Sequence, residues 1–242
     1  YLLEWLSSNA GRGYVTYHED SDKFSLSPEQ AAVFARENEP TCIQGLMQGV
    51  VGQFVKEDVA IDVFKTGRGR PWGEHHECCF CGTERFFRPA YAGHLLDEWI
   101  PAMTGVEEKL KMGAKVADIG CGLGTSSMLM AEQYPNSTIH AFDFHEPSIE
   151  EAKKRAEDKG LSNLEFFVSD AAAIPNESYD LACIFDAWHD MGDPVGIAKS
   201  IRETLADDGT FMVVEPMALD GLKNNIDNNP GASMFYGFGT LI

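Results

Sequence analysis

The chain has 242 residues, 44% of them hydrophobic, with 19 Lys and Arg against 38 Asp and Glu for a formal charge of −19. That length suits one sizeable domain, or a domain with a small appendage. The acidity argues against a nucleic-acid or anionic-membrane binder, both of which draw on clustered positive charge, and the apolar and aromatic content argues against disorder.

The first segment opens inside an amphipathic helix, with Leu2, Leu3, Trp5 and Leu6 ahead of the stop signal Asn9-Ala10-Gly11. Tyr14–Tyr17 and Phe24–Leu26 read as short strands around the polar turn His18–Lys23. Ser27-Pro28-Glu29 supplies a cap, a first-turn Pro and an acid for a helix running to Arg36. Helix, hairpin, helix is the tail end of a winged helix, and the chain starts at Tyr1 rather than Met, so its front is expected to be missing. Residues 1–70 carry a net charge of only −3, which favours packing or homodimerisation over DNA binding for this part.

Residues 41–114 are less regular. Gly45, Gly49 and Gly52 punctuate an apolar stretch, Thr66–Gly73 reads as a loop, and 86–112 reads as helix in two pieces broken near Pro101. The run His75-His76-Glu77-Cys78-Cys79-Phe80-Cys81 is rich in metal-binding side chains, but it lacks the paired C-x₂-C spacing of structural zinc sites. It is read as a lid or entry segment with no metal expected, a site for a thiophilic metal or metalloid being the alternative. No disulfide framework is predicted from the six cysteines, and a reducing, cytoplasmic compartment follows. No apolar run reaches the roughly 18 residues of a membrane span.

From Lys115 apolar runs alternate with amphipathic helices: strands at 115–119, 138–143, 164–168, 179–185 and 209–214, with helices near 124–133, 146–159 and 193–206. This alternation predicts an α/β fold, a doubly wound Rossmann-like parallel sheet with its ligand at the carboxyl ends of the strands. The expected organisation is 1–40 as a partial winged-helix domain, 41–100 as a helical linker or lid, and 101–242 as the ligand-binding domain. Residues 115–215 hold a net charge of −12, so most of the acidity lies there.

The strongest motif is Asp118-Ile119-Gly120-Cys121-Gly122-Leu123-Gly124, between a strand and a helix. Its glycines allow a tight turn and close backbone approach to a ligand. Their spacing is not the dinucleotide G-x-G-x-x-G, and the acid two residues ahead can meet an ammonium where a nucleotide site presents a helix N-terminus to phosphate. Asp143 ends the second strand about 20 residues further on, where a ribose diol is gripped, with Phe144 beside it to pack on a base. Asp170 and Ala171 follow the third strand, Asp186 ends the fourth, and Glu215 closes the fifth. Each acid alone could be a cap or a solvated loop residue.

On these motifs, residues 115–216 resemble the class I S-adenosylmethionine-dependent methyltransferases. With the wing in front, the chain resembles a winged-helix subfamily close to small-molecule O-methyltransferases. The resemblance implies S-adenosylmethionine as cofactor, with Asp118, Gly120, Gly122 and Gly124 around its methionine portion, Asp143 at the ribose, and Asp170 with Ala171 at the adenine. It also implies seven strands where five are predicted, hence a chain incomplete at its C-terminus.

Trp188-His189-Asp190-Met191-Gly192-Asp193-Pro194 is similar to the stretch in which plant-type O-methyltransferases keep a catalytic histidine. His189, with Asp190 beside it, is therefore the expected general base for a hydroxyl acceptor, its ordinary pKa near 6.5 suiting that task. The alternative is that His189 simply packs above the helix start at Gly192–Pro194. Glu215 either lines the acceptor pocket or orients the loop after it. Two other functions stay open: a winged-helix regulator that senses the same cofactor, and a nicotinamide-type oxidoreductase, which the glycine spacing disfavours.

Overall fold

The computed structural model describes residues 1–240, and the chain divides into two compact units. The first comprises Tyr1–Val55 and His76–Gly93, the second Lys56–His75 and His94 onward.

In the first unit, α1 (Leu2–Gly11) leads into an antiparallel hairpin of β1 (Thr16–His18) and β2 (Lys23–Ser25), followed by α2 (Pro28–Phe34). Ser27 starts α2 with a reciprocal capping box: its hydroxyl accepts from the Gln30 N–H, and the Gln30 side chain accepts from the Ser27 N–H. The Gln30 amide also donates to the Gly13 carbonyl at 2.8 Å, tying α2 to the turn before the hairpin. The glycine-punctuated stretch is a helix, α3 (Gln44–Val55), packed on α5 (Glu77–Ala90). Gly45, Gly49 and Gly52 share its buried face, and Gly82 faces them from α5. A Cβ on Gly82 would sit 2.4 Å from the Gly49 nitrogen, and one on Gly45 would sit 2.4 Å from the Phe86 nitrogen. The two backbones touch because no side chain separates them. Arg85 braces the same pair, reaching the Gln48 and Gln44 side-chain oxygens at 2.5 and 2.7 Å and the Glu37 carboxylate. Past Pro89, which has no N–H to donate, the helix continues with π-helical turns over Tyr91–Trp99.

The second unit begins with α4 (Glu57–Thr66), closed by Gly67 at φ 71°. After the return of the chain at His94 come α6 (Val106–Met112), β3 (Lys115–Ile119), α7 (Thr125–Gln133), β4 (Thr138–Asp143), α8 (Glu146–Asp158), β5 (Leu164–Val168), β6 (Tyr179–Phe185), α9 (Pro194–Thr204) and β7 (Leu205–Val214). Two short helices, α10 (Leu222–Asn228) and α11 (Ala232–Gly239), follow. The five strands are parallel, in the order β5-β4-β3-β6-β7, as the strand–helix alternation predicts. β7 starts earlier than expected: Leu205 pairs with Tyr179 ahead of an irregularity in register, and Gly209 lies so close to the Tyr179 carbonyl that a Cβ there would be 2.6 Å from it.

β3 is central and buried from Val116 to Ile119, so both faces of the sheet are covered. Ile119, Phe142, Tyr179, Ile184, Ile197 and Ile201 belong to one buried apolar cluster. The chain runs outward from β3 through β4 to β5, then returns to the other side of β3 with β6. Order therefore switches between β3 and β6, which opens a crevice at their carboxyl ends. Among the described residues no helix is long and apolar enough to cross a membrane.

Candidate active site

Asp118 lies within β3 and is fully buried. Its Oδ2 accepts from the Ser126 and Ser127 hydroxyls at 2.6 and 2.5 Å, which locks the carboxylate to the first turn of α7. Its Oδ1 is buried with no hydrogen-bond partner. Burial raises the Asp118 pKa to about 6, against the opposing hydrogen bonds from the two serines. A buried carboxylate with one oxygen unsatisfied is costly alone and suited to an incoming ammonium.

Between Asp118 and α7 the loop places Gly120, Gly122 and Gly124 at φ 73°, 53° and 77°, a region that residues with a Cβ enter only at a cost. A Cβ on Gly120 would lie 2.9 Å from Ala187 in the loop after β6, and one on Gly124 would strike the Phe166 ring at 2.7 Å, whereas at Gly122 there is open space. The first and third glycines thus seat the loop in the crevice, and the second exposes backbone to it. Cys121 beside them and Cys183 in β6 are buried thiols whose pKa values burial pushes well up, and every cysteine is free.

Asp143 ends β4, where it accepts from the Gly122 N–H and the His145 N–H, each at 2.8 Å. It staples the glycine loop to the loop after β4 and keeps lone pairs for other donors, since a carboxylate offers about four acceptor sites. Phe144 next to it is 58% exposed. Asp170, after β5, caps the short turn Ala171–Ala173 by accepting from the Ala172 N–H at 2.8 Å.

The rim after β6 is built around Glu215. Its Oε1 accepts from the Ala187 and Trp188 N–H groups at 3.2 and 2.7 Å, and its Oε2 pairs with His189 Nδ1 at 2.5 Å. Of the two roles expected for Glu215, orientation is the one these bonds perform, but on the preceding loop, 187–189, rather than the one that follows. His189 Nε2 lies 3.4 Å from Asp190. The hydrogen bond that His189 donates to Glu215, aided by Asp190, raises the His189 pKa to about 9, well above the ordinary value that the sequence suggests. Asp186 takes φ 51° and donates its N–H to the Val214 carbonyl. Burial pushes its pKa to about 8, so its carboxyl is mostly protonated at neutral pH.

Asp186, His189 and Glu215 each offer one ligand atom within 4.8 Å of the others, and a divalent ion could use that set. The hydrogen bonds of Glu215 account for its pairing with His189 without an ion, and the Asp186 carboxyl is not among their partners. It is the one three-ligand group among the described residues, so the His75–Cys81 run forms none. No sequence motif marks the Glu215–His189 pair: 26 residues separate them, and only the adjacency of β6 and β7 joins them.

Comparison with known proteins agrees with this geometry. Residues 110–236 match the model of a methyltransferase domain family. The chain is 28% identical over 172 residues to the sterol 24-C-methyltransferase erg6 of Aspergillus fumigatus, an alignment covering 69% of this chain and 42% of the relative. It is 33% identical over 105 residues to the ubiquinone biosynthesis O-methyltransferase of Actinobacillus pleuropneumoniae, covering 41% and 44%. The chain thus spans less than half the length of either relative. In fold it is similar to the mitomycin 7-O-methyltransferase MmcR, with a TM-score of 0.66 at 17% identity, covering 98% of this chain and 69% of that one.

Proposed function

The chain belongs to the methyltransferase domain family, whose cofactor is S-adenosylmethionine, and from that premise we propose that it transfers a methyl group to a hydroxyl of a small-molecule acceptor. The observation that carries the cofactor assignment is the buried, unpartnered Asp118 Oδ1 at the glycine loop. In this reading Asp118 faces the cofactor's ammonium, and Gly120, Gly122 and Gly124 admit its methionine portion. Asp143 accepts from the ribose hydroxyls with lone pairs left over from the Gly122 and His145 N–H groups. Asp170 and Ala171 border the adenine, Phe144 packs on it, and Asp186 closes the crevice from the β6 side.

When bound, S-adenosylmethionine supplies a methyl group already activated on a sulfonium. The protein must then align the acceptor oxygen and remove its proton. His189 takes that proton on Nε2. Glu215, bonded to Nδ1, fixes the ring and stabilises the imidazolium that results. Asp190, at 3.4 Å, adds to that stabilisation. The acceptor's oxygen is inferred from this pair. The relatives do not decide it, since one is named for carbon and the other for oxygen methylation.

A base with a pKa of about 9 must lose its resting proton before it can act. kcat/KM should therefore climb about tenfold per pH unit below about 9 and level off above it. His189→Ala should abolish that slope and cut kcat roughly 10²–10⁴-fold with S-adenosylhomocysteine affinity retained. An unchanged rate on a panel of phenolic and aliphatic alcohols would remove His189 from the mechanism.

A further inference from the structure

Outside the residues considered so far, the second unit buries a histidine ring with no hydrogen-bond partner. His75 is 5% exposed, and neither Nδ1 nor Nε2 makes a hydrogen bond. It ends a built segment. Arg68 forks onto Glu74 at 3.1 Å and bonds Asp62 of α4 at 3.0 Å, Trp72–Glu74 makes a helical turn, and the Trp72 and His75 rings lie 5.5 Å apart. The segment also reaches the loop after β4: at Gly73 a Cβ would lie 3.8 Å from the His145 ring. His145 in turn donates its N–H to Asp143, the residue placed at the ribose.

Burial, with the Arg70 guanidinium nearby, lowers the His75 pKa to about 4. Its ring is therefore neutral across the physiological range, with one N–H to give and one lone pair to receive. Buried polar groups are nearly always satisfied in folded proteins, so two orphan nitrogens on one ring call for a partner from outside the chain.

We propose that His75 is a nucleoside contact: its imidazole hydrogen-bonds the adenosine part of the cofactor at the Asp143–His145 edge, with Arg68–His75 as the strap that carries it. The proposal rests on the cofactor reading above. A ribose hydroxyl both gives and accepts a hydrogen bond, and the adenine edge sets a donor amine beside acceptor ring nitrogens; either complements a neutral imidazole. A carboxylate would leave the ring's acceptor nitrogen unmet.

The test is a titration of the whole chain with S-adenosylhomocysteine, adenosine and homocysteine, followed by imidazole ¹⁵N NMR and calorimetry, on the wild type and on His75→Phe and His75→Asn. We expect S-adenosylhomocysteine and adenosine to shift the His75 ring signals and homocysteine to leave them in place. His75→Phe should weaken S-adenosylhomocysteine binding about tenfold, the scale of one lost hydrogen bond to a ligand. The unliganded His75→Phe protein should melt no lower than the wild type, because the variant removes unsatisfied polar atoms from a buried site. Wild-type binding with unmoved His75 signals would overturn the proposal and leave the cofactor assignment intact. So would a lower melting temperature for unliganded His75→Phe, which would reveal a structural partner. Absence of S-adenosylhomocysteine binding by the wild type would overturn both. If His75→Phe does not fold, the wild-type spectra and His75→Asn decide the matter alone.

Discussion

At the α3–α5 crossing glycine serves for the side chain it lacks, and in the loop between β3 and α7 it serves for the backbone angle it permits. Gly45, Gly49, Gly52 and Gly82 lie within helices, and their bare faces bring the backbones together. Gly120, Gly122 and Gly124 all have positive φ, and at Gly122 there is open space where a methyl group would go. The first set holds up a unit with few large buried side chains. The second costs the fold conformational freedom and leaves a place for something else. The same residue type thus marks packing in one unit and the proposed binding loop in the other, and φ together with the neighbouring atoms tells them apart.

Substitutions can break that contrast at either end. Gly82→Val should have the largest effect, because its Cβ would meet the Gly49 backbone, which cannot move aside as a side chain would. A loss of about 3 kcal/mol or more, or failure of the first unit to fold, is expected in urea denaturation. Gly122→Ala should cost only about 1–2 kcal/mol of stability, from φ alone, while S-adenosylhomocysteine binding falls at least about tenfold. A well-folded Gly122→Ala with unchanged affinity would put the cofactor elsewhere.

The smallest effect sharpens the binding end of the comparison. The folded-state pKa of Asp118, about 6, lies above the usual carboxyl value of 3.8. The folded chain therefore holds more protons than the unfolded one between these values, and this group's contribution to stability falls as pH rises through that window. An ammonium on Oδ1 favours the ionised form. Ligand binding near pH 5 should therefore release up to one proton, measurable by calorimetry in buffers of different ionisation enthalpy, and affinity should weaken as pH falls below about 6. Asp118→Asn should abolish the proton release.

Much of the second unit is legible in the sequence because parallel strands buried on both faces leave continuous apolar runs, and those runs mark β3 to β6 to within a residue. The early start of β7 is hidden because Asp207-Asp208-Gly209 reads as a turn, although Leu205 pairs with Tyr179 before it. In the first unit, Gly45, Gly49 and Gly52 look like breaks by helix propensity. Their four- and three-residue spacing, a single helix face, is the signal that would have found α3. The strand-end acids can be located from the sequence, but their environments cannot. Nothing local foretells that Glu215 lifts the His189 pKa to about 9, or that the Ser126 and Ser127 hydroxyls share one Asp118 oxygen and leave the other bare. In the sequence His75 reads as part of the cysteine-rich run that follows it, yet it belongs to the strap that ends there.

Every role proposed for the crevice between β3 and β6 depends on its binding S-adenosylmethionine. Calorimetric titration of the whole chain with S-adenosylhomocysteine and with NAD, side by side, tests that binding most directly. Stoichiometric binding of S-adenosylhomocysteine, weakened in Gly122→Ala, and no heat with NAD are expected. Binding of NAD in preference to S-adenosylhomocysteine would contradict that assignment.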